Sequence, residues 1–379
     1  MDTLVKFFKH SLWGKTLALL VLWNLALRLV AVAGYFVLPE RFAPLDFIAD
    51  FFRSNYLWWS LANFDGEHYL AISKYGYQLR SGFPQYAFFP LFPLLIKAMT
   101  IIVRDYYLAA LLVSQLSLWV ALVYLSKWAN SLRPSGPGPE GLALPLLLST
   151  GAIFLASVYT EPLFIMLAVM TMYFSERKWW GRAVLTAALA TATRVNGIFL
   201  VIFLFIKLFK SKKSLLTSSL YTLASISGLL GYMIFLQVKT GDMFAWFHAQ
   251  GAWGKAVATS PLTTLVSYLR AITLDFSPDL THLTVVIEVM VTTVALLLFL
   301  SLLRRHLLDL SYWLYLGGNL ALPLATGSLG SMPRFFLTLF PLLLVVPALS
   351  KSSKTLYYIS SITASVIGII LFTRGYWYG

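Results

Sequence analysis

The sequence contains no cysteine. Disulfides, thiol catalysis and cysteine-held zinc are therefore excluded. Charge is scarce too: Asp, Glu, Lys and Arg make up 12% of 379 residues, about half the roughly 25% usual in soluble domains. Acidic residues are the scarcer sign, 15 against 29 basic ones, for a net charge of +14. In a soluble chain that excess would point to nucleic acid. Here the basic residues sit mostly in short loops between apolar runs, which is the positive-inside pattern, so no nucleic-acid partner is expected. No soluble domain, low-complexity tract or short repeat is visible. A Pro/Gly-rich linker, residues 133–139, joins two apolar runs.

What the sequence does have is apolar length. Hydrophobic residues make up 59%, and stretches such as Leu283–Leu303 and Leu356–Phe372 carry almost no charge. About 20 apolar residues suffice for a helix to cross the hydrocarbon core. The expected fold class is therefore all-α and integral to the membrane, with residues 1–379 forming a single polytopic domain in contact with the lipid bilayer. Candidate spans are 15–38, 106–126, 142–158, 160–175, 183–194, 197–209, 215–237, 283–303, 311–327, 335–350 and 355–372, about eleven in all. The basic stretch Lys6–Lys15 leads into the first of them without a small-residue cleavage site, so that span reads as uncleaved. Two longer polar-bearing segments remain, 39–105 and 239–282.

Orientation decides two ambiguous stretches. If 86–103 crossed, the basic loops at Lys127/Arg133 and Arg177/Lys178/Arg182 would fall outside. If it does not cross, they join Lys6, Lys9, Lys15, Lys207–Lys213, Arg304/Arg305 and Lys351/Lys354 inside, as the rule favours. The stretch is then re-entrant or surface-lying, and buried in protein or lining a cavity. Residues 183–209, broken at Thr193–Gly197 and basic on both flanks, read as a hairpin with Arg194 at its tip. The N-terminus is then inside and the C-terminus outside. Segments 39–105 and 239–282 become the first and second long outer loops, sharing that face with the Tyr159-Thr160-Glu161 and Arg194 turns.

The residues able to carry chemistry gather on that face. Asn63-Phe64-Asp65-Gly66-Glu67-His68-Tyr69 lies in an aromatic-rich, helix-like stretch, Tyr56–Tyr75, expected at the membrane interface. Asp65, His68, Tyr69 and Ile72 share one helix face, whereas Glu67 points elsewhere. An acid at that boundary can serve as a general base, though ordinary interfacial polarity is the plainer reading. Glu161, ahead of Pro162, stands at a helix start as either a cap or a ligand. Arg194 and Arg334 at outer tips can hold phosphate or snorkel to headgroups. Arg28 and Glu288 lie inside apolar spans, where a structural pairing is the plainer reading. The run Gly241-Asp242 to Trp253-Gly254-Lys255, with His248, Gln250 and Trp253, suits a sugar or an aromatic interface belt. His68 with Glu67 or Asp65 is too loose a set for a metal. No cofactor is expected, and a divalent ion is the weaker reading.

The run Asn63 to Tyr77, followed by Phe88-Phe89-Pro90-Leu91-Phe92-Pro93, resembles the PIG-V-like mannosyltransferases of the GT-C superfamily. Tyr159-Thr160-Glu161, Thr193-Arg194 with Gly197, Gly241-Asp242 with His248-Ala249-Gln250 and Trp253-Gly254, and Ser331 with Arg334 resemble the family's later blocks. They come in the same order over roughly residues 20–345. Phe64 stands where the family has Trp. The resemblance implies a GT-C-like multi-pass bundle with interfacial helices in the first outer loop. It also implies a polyprenyl-phosphate sugar donor, most often of mannose, a lipid or glycan acceptor, and inversion at the anomeric carbon. Asp65 matches the catalytic aspartate of the first outer loop. Glu161 and Arg194 match outer motif positions for substrate contact. Glu67, His68, Tyr159, His248, Gln250, Trp253 and Arg334 join them as expected substrate-binding residues. Eukaryotic members add the second mannose of the GPI anchor. The short loops here are of prokaryotic type, so that acceptor is not carried over, and a prokaryotic cell membrane is expected (the ER membrane in a eukaryote). The competing class is a lipid-linked sugar translocase, for which internal repeats and a site near the midplane would be usual.

Overall fold

A computed structural model describes residues 11–41, 56–78, 84–132, 140–254, 259–274, 277 and 279–378. The basic residues at 6–10, the linker 133–139, Lys255 and the loop portions 42–55, 79–83, 255–258, 275–276 and 278 lie outside them. The described residues are helical, without a strand among them. In chain order the helices are α1 (Leu12–Val37), α2 (Tyr56–Trp59), α3 (Asp65–Tyr75), α4 (Leu91–Val103), α5 (Tyr106–Leu132) and α6 (Glu140–Leu147). There follow α7 (Ala152–Ala156), α8 (Glu161–Glu176), α9 (Trp180–Thr191), α10 (Gly197–Lys210), α11 (Leu215–Ser225) and α12 (Ser227–Thr240). The last six are α13 (Ala245–His248), α14 (Pro261–Thr273), α15 (Leu280–Leu303), α16 (Leu310–Ala325), α17 (Met332–Phe336) and α18 (Lys351–Thr373).

Four of these, α1, α5, α15 and α18, are long and apolar enough to cross a membrane alone. A fifth crossing arises if α11 and α12, bent by 52° at Ile226, count as one. Of the other six expected spans, four are single helices of 12–16 residues (α8, α9, α10 and α16) and two are assembled from shorter pieces. The stretch 142–158 divides into α6 and α7 around the turn at Ser149–Gly151. The stretch 335–350 becomes a 3-10 run, Leu337–Ala348, because Pro341 and Pro347 have no N–H to donate. The α4 helix has 13 residues, about 20 Å at 1.5 Å per residue, short of the ~30 Å hydrocarbon core.

Small residues set the packing at the centre. Ala183, Ala187 and Ala190 on α9 are wholly buried, and this small-residue face lets α9 lie close against α8. The Thr171 hydroxyl donates to Thr186 across the pair at 2.8 Å. A side chain at Gly197 would place its Cβ 2.7 Å from the backbone of Ala190 and Thr191. Glycine there lets α10 fold back along α9, and the turn that results carries Arg194.

The α8 helix has charge at both ends. Its 16 residues span about 24 Å. At its C-terminal end Lys207 donates to Glu176 at 2.6 Å and to Asp309 at 2.8 Å. Tyr312 donates to Glu176 at 2.7 Å, and Trp128 to Tyr312 at 2.9 Å. This clasp ties together α5, α8, α10 and the start of α16. The other end of α8 holds the candidate site.

Candidate active site

The chain reaches Asp65 through an irregular entry. Tyr56–Tyr75 is not one interfacial helix: α2 and a 3-10 turn, Ser60–Ala62, end at Asn63, and α3 begins at Asp65. Between them Phe64 adopts φ 61° and ψ −117°. A residue with a Cβ adopts such a conformation at a cost of about 1–3 kcal/mol, and only when its surroundings force it. Here they do. Asn63 Nδ2 donates to the Phe372 carbonyl at 2.7 Å. The Phe64 ring packs edge-on against Phe372 and Trp377, at 5.5 and 5.1 Å. The break makes Asp65 the first residue of α3, where a negative charge is favoured by the helix dipole. The Asp65 N–H donates to the Tyr159 hydroxyl at 3.3 Å, which donates in turn to the Asn63 carbonyl at 3.2 Å. The α3 helix is buried within the protein from Asp65 through Ser73.

Three further charged side chains meet Asp65 from distant parts of the chain. Glu161 opens α8 ahead of Pro162, Arg194 lies in the α9–α10 turn, and Arg334 is on α17. Arg334 Nη1 donates to Asp65 Oδ2 at 2.5 Å, and its Nε donates to Glu161 Oε1. Arg194 Nη1 donates to the same Glu161 oxygen and, at 3.1 Å, to Thr160 Oγ1. The order is thus Arg194–Glu161–Arg334–Asp65, two cations alternating with two anions. The Arg334 guanidinium also lies over the Tyr159 ring, 5.1 Å from its centroid.

Burial makes this arrangement costly and rigid. Glu161 has no exposed side-chain surface, while Asp65, Arg194 and Arg334 retain 9–13%. An ion taken from water loses several kcal/mol even after relaxation, and close opposite charges offset that loss only with good geometry. Glu161 gives one oxygen to both arginines, and its Oε2 is buried without a hydrogen-bond partner among the described residues. The backbone is shaped to hold Arg334. Ser331 takes φ 76° before α17, and Pro333 sits in the helix's first turn. The turn before α7 presses on that segment, since a Cβ on Gly151 would lie 2.3 Å from the Pro333 carbonyl oxygen.

The other expected residues divide into two groups. Tyr159 belongs to the cluster. His68 and Glu67 are buried on α3 at 3% and 4% exposure. The His68 ring stacks on Phe88 at 4.8 Å and meets Trp253 edge-on at 5.1 Å. Trp253 is therefore where the second long loop reaches the site. His248 and Gln250 make none of the cluster's hydrogen bonds or ion pairs among the described residues. The His248 side chain is 64% exposed and pairs with Asp242 at 2.7 Å. Its hydrogen bond holds the Asp242 carboxyl below the usual range. Gln250 donates to the Trp246 carbonyl at 3.4 Å. A four-residue helix, α13, is too short to carry all of this run to one side. Arg28 lies over the Trp58 ring at 5.8 Å, and Glu288 is buried on α15, close to Tyr268. Among the described residues no three His, Asp or Glu side chains are grouped as metal ligands.

Two contributors escaped the sequence reading. Thr160 anchors Arg194, and the Tyr69 hydroxyl lies 3.5 Å from Thr160 Oγ1. Burial pushes the Tyr69 phenol up to about 12, against the pull of Arg334, so it stays a neutral hydrogen-bonding group. Both residues sit in motifs already noted, but hydroxyls carry no charge signal to single them out.

A family model described as Mannosyltransferase (PIG-V) matches residues 3–257. The chain belongs to the PIG-V mannosyltransferase family. The match takes in Asp65, Glu161 and Arg194, while Arg334 lies beyond it. The GPI alpha-1,6-mannosyltransferase 2 of Homo sapiens is 33% identical over 176 residues, which are 44% of this chain and 35% of that protein. The protein of the same name from Rattus norvegicus is 31% identical over 208 residues, 52% of this chain and 40% of its own length. That from Cricetulus griseus is 34% identical over 157 residues, 38% and 31% of the two chains. The alignments thus span 31–40% of these relatives' own length.

Proposed function

We propose that the protein is a membrane mannosyltransferase. It moves mannose from a polyprenyl-phosphate donor to a hydroxyl of a lipid or glycan acceptor, with inversion. The observation that carries this reading is the buried Arg194–Glu161–Arg334–Asp65 row in a PIG-V family chain. Two guanidiniums beside a carboxylate suit a reaction that removes a proton from one oxygen and develops negative charge on another. The acceptor oxygen attacks C1 of the sugar and gives its proton to Asp65. The C1–O bond to phosphate breaks, and the polyprenyl phosphate leaves carrying the electron pair. Asp65 is the better base of the two acids. It holds one arm of one arginine and keeps some exposure, whereas Glu161 anchors both arginines and keeps none. Arg334 donates to Asp65 in this structure. An incoming phosphate competes for that arm, so donor binding would free the base it needs.

The same reading includes about eleven membrane crossings, inside N-terminus, outside C-terminus and two long outer loops. Lys127, Arg177, Lys178, Lys207, Lys210, Arg304 and Lys351 lie near the helix ends on the clasp side of α8. The positive-inside rule makes that side cytoplasmic and the catalytic side outer or lumenal. Clusters at opposite ends of α8 differ from the midplane site usual in transporters, so nothing favours the translocase alternative.

The direct test is transfer of radiolabelled mannose from polyprenyl-phosphate mannose to a panel of lipid and glycan acceptors by the protein in nanodiscs. Transfer with inverted anomeric configuration is expected. Donor uptake across the bilayer with no glycoside formed would sink the reading. A second prediction comes from Gly151. Gly151→Ala forces the Pro333 carbonyl aside and displaces Arg334, leaving every charged residue in place. Misplacement by about 1 Å lowers turnover roughly 100-fold. Unchanged turnover in a folded Gly151→Ala protein would show that the contact does not position Arg334.

A further inference from the structure

At the end of α8 opposite the charged row, four cations have no acid to pair with. Among the described residues, Lys127, Arg177, Lys178 and Arg182 have no carboxylate within ion-pair distance. Glu176, next to Arg177 in the chain, is held by Lys207 and Tyr312 at 2.6 and 2.7 Å. Asp309 also serves Lys207. Three of the four cations lie over aromatic rings instead. Arg182 is 4.8 Å from the Trp179 ring centroid and 5.9 Å from that of Phe174. Arg177 is 5.6 Å from Tyr173, and Lys127 is 4.9 Å from Tyr124 and 5.7 Å from Trp13. The rings form one connected row. Tyr124 packs on Tyr173 at 5.5 Å and on Phe174 at 5.6 Å, and Phe174 packs on Trp179 at 5.9 Å.

Beside this row an open groove of about 550 Å³ is lined by Trp179, Trp180, Gly181 and Arg182. The α8–α9 connection shapes it. Lys178 takes φ 57°, and the Trp179 N–H donates to the Phe174 carbonyl at 2.8 Å, which turns the chain back. A Cβ at Gly181 would meet nothing within 4 Å. Arg182, Leu185 and Leu189 are spaced i, i+3 and i+7, so they share one face of α9. Arg182 is exposed, and Leu185 is 60% exposed. A cation at the mouth of the groove thus continues into an apolar stripe along the helix.

These features match one class of ligand. A guanidinium laid over an indole keeps its N–H edge free, and that fork matches two oxygens of a phosphate. Tryptophans among cations stand at the level of lipid headgroups. Two helices long enough to cross a membrane fix that level independently. Trp13 is the second residue of α1, and Lys127 lies in the last two turns of α5. A soluble anion would leave the Leu185 stripe bare. A zwitterionic headgroup would bring a cation of its own against the four already there. We propose that the groove binds one anionic glycerophospholipid of the leaflet on the clasp side, with its phosphate on Arg182 and an acyl chain along Leu185. The binding is independent of the chemistry at the other end of α8.

The experiment titrates the full chain, in a neutral detergent, with dioleoylphosphatidylglycerol or dioleoylphosphatidylcholine and counts bound lipid by native mass spectrometry. Phosphatidylglycerol is expected to bind the wild type about tenfold more tightly than phosphatidylcholine. Arg182→Gln should weaken phosphatidylglycerol about five- to tenfold, the loss of one charge-assisted contact at a wet site. Lys213→Gln removes an exposed cation from the same side of the protein but outside the groove, and should leave the affinity unchanged. Phosphatidylglycerol should raise the Tm of the wild type, and the rise should shrink in Arg182→Gln, whose Tm without added lipid stays that of the wild type. Glycerol phosphate in equal concentration should not displace the lipid. Equal affinity for the two lipids, wild-type binding by Arg182→Gln, or an equal loss in Lys213→Gln would each overturn the proposal, the last by showing attraction to net charge alone. Displacement by glycerol phosphate would make the groove a soluble-anion site and overturn the lipid assignment.

Discussion

Asp65→Asn is expected to abolish mannose transfer, by about 1,000-fold or more, in a protein that still folds. A positioned general base contributes roughly 10²–10⁴ to rate. Asparagine keeps the shape and the hydrogen bond to Arg334 but cannot take the acceptor proton. Arg334 also keeps its bond to Glu161, so no cation is left wholly unpaired. Two measurements separate catalysis from structure: turnover with saturating donor and acceptor, and the thermal midpoint in nanodiscs. Donor affinity should hold or increase, because Arg334 loses an anionic competitor for phosphate. A folded Asp65→Asn protein with turnover within tenfold of wild type would remove Asp65 from the mechanism.

Glu161→Gln is expected to have the largest effect on stability. Glu161 is the shared anion of two buried arginines. Without it Arg194 and Arg334 face one another with only Asp65 to balance them. Breaking a buried pair by removing one partner costs about 3–5 kcal/mol, a fall on the order of 4–6 °C in Tm for a chain of this size. The double variant Glu161→Gln with Arg194→Met should recover part of the loss, since it removes the stranded cation as well. A double-mutant cycle gives the coupling, expected at about 1–3 kcal/mol between residues in one network. Strictly additive losses would show that the two side chains do not depend on each other.

Particular residues show how much of this could be read beforehand. The membrane class, the helical fold and the motifs holding Asp65, Glu161, Arg194 and Arg334 were legible, because low charge, apolar length and isolated charges beside apolar runs are local properties. The hairpin-shaped break near Thr193–Gly197 was legible for the same reason. The breaks within the apolar runs were not. Hydropathy counts apolar residues without regard to continuity, so 335–350 reads as one continuous helix although its prolines turn the run into a 3-10 segment. His248 shows the opposite failure. Its position beside Trp253 in sequence put both in one expected sugar site, yet α13 turns His248 outward to Asp242 while Trp253 packs on His68.

The sequence by itself determined that the chain lives in a membrane, that it is built of helices, and which acids and arginines stand at their ends. Those follow from composition and from the energetics of charge near hydrocarbon. Only the tertiary structure decided that Asp65 and Arg334, 269 positions apart, form one ion pair. It also decided that Glu161 holds two arginines and that Phe64 is bent into a left-handed conformation to set α3. Pairing at that separation depends on how α8, α17 and the Gly151 turn pack, and packing of buried side chains is not a local property of any segment.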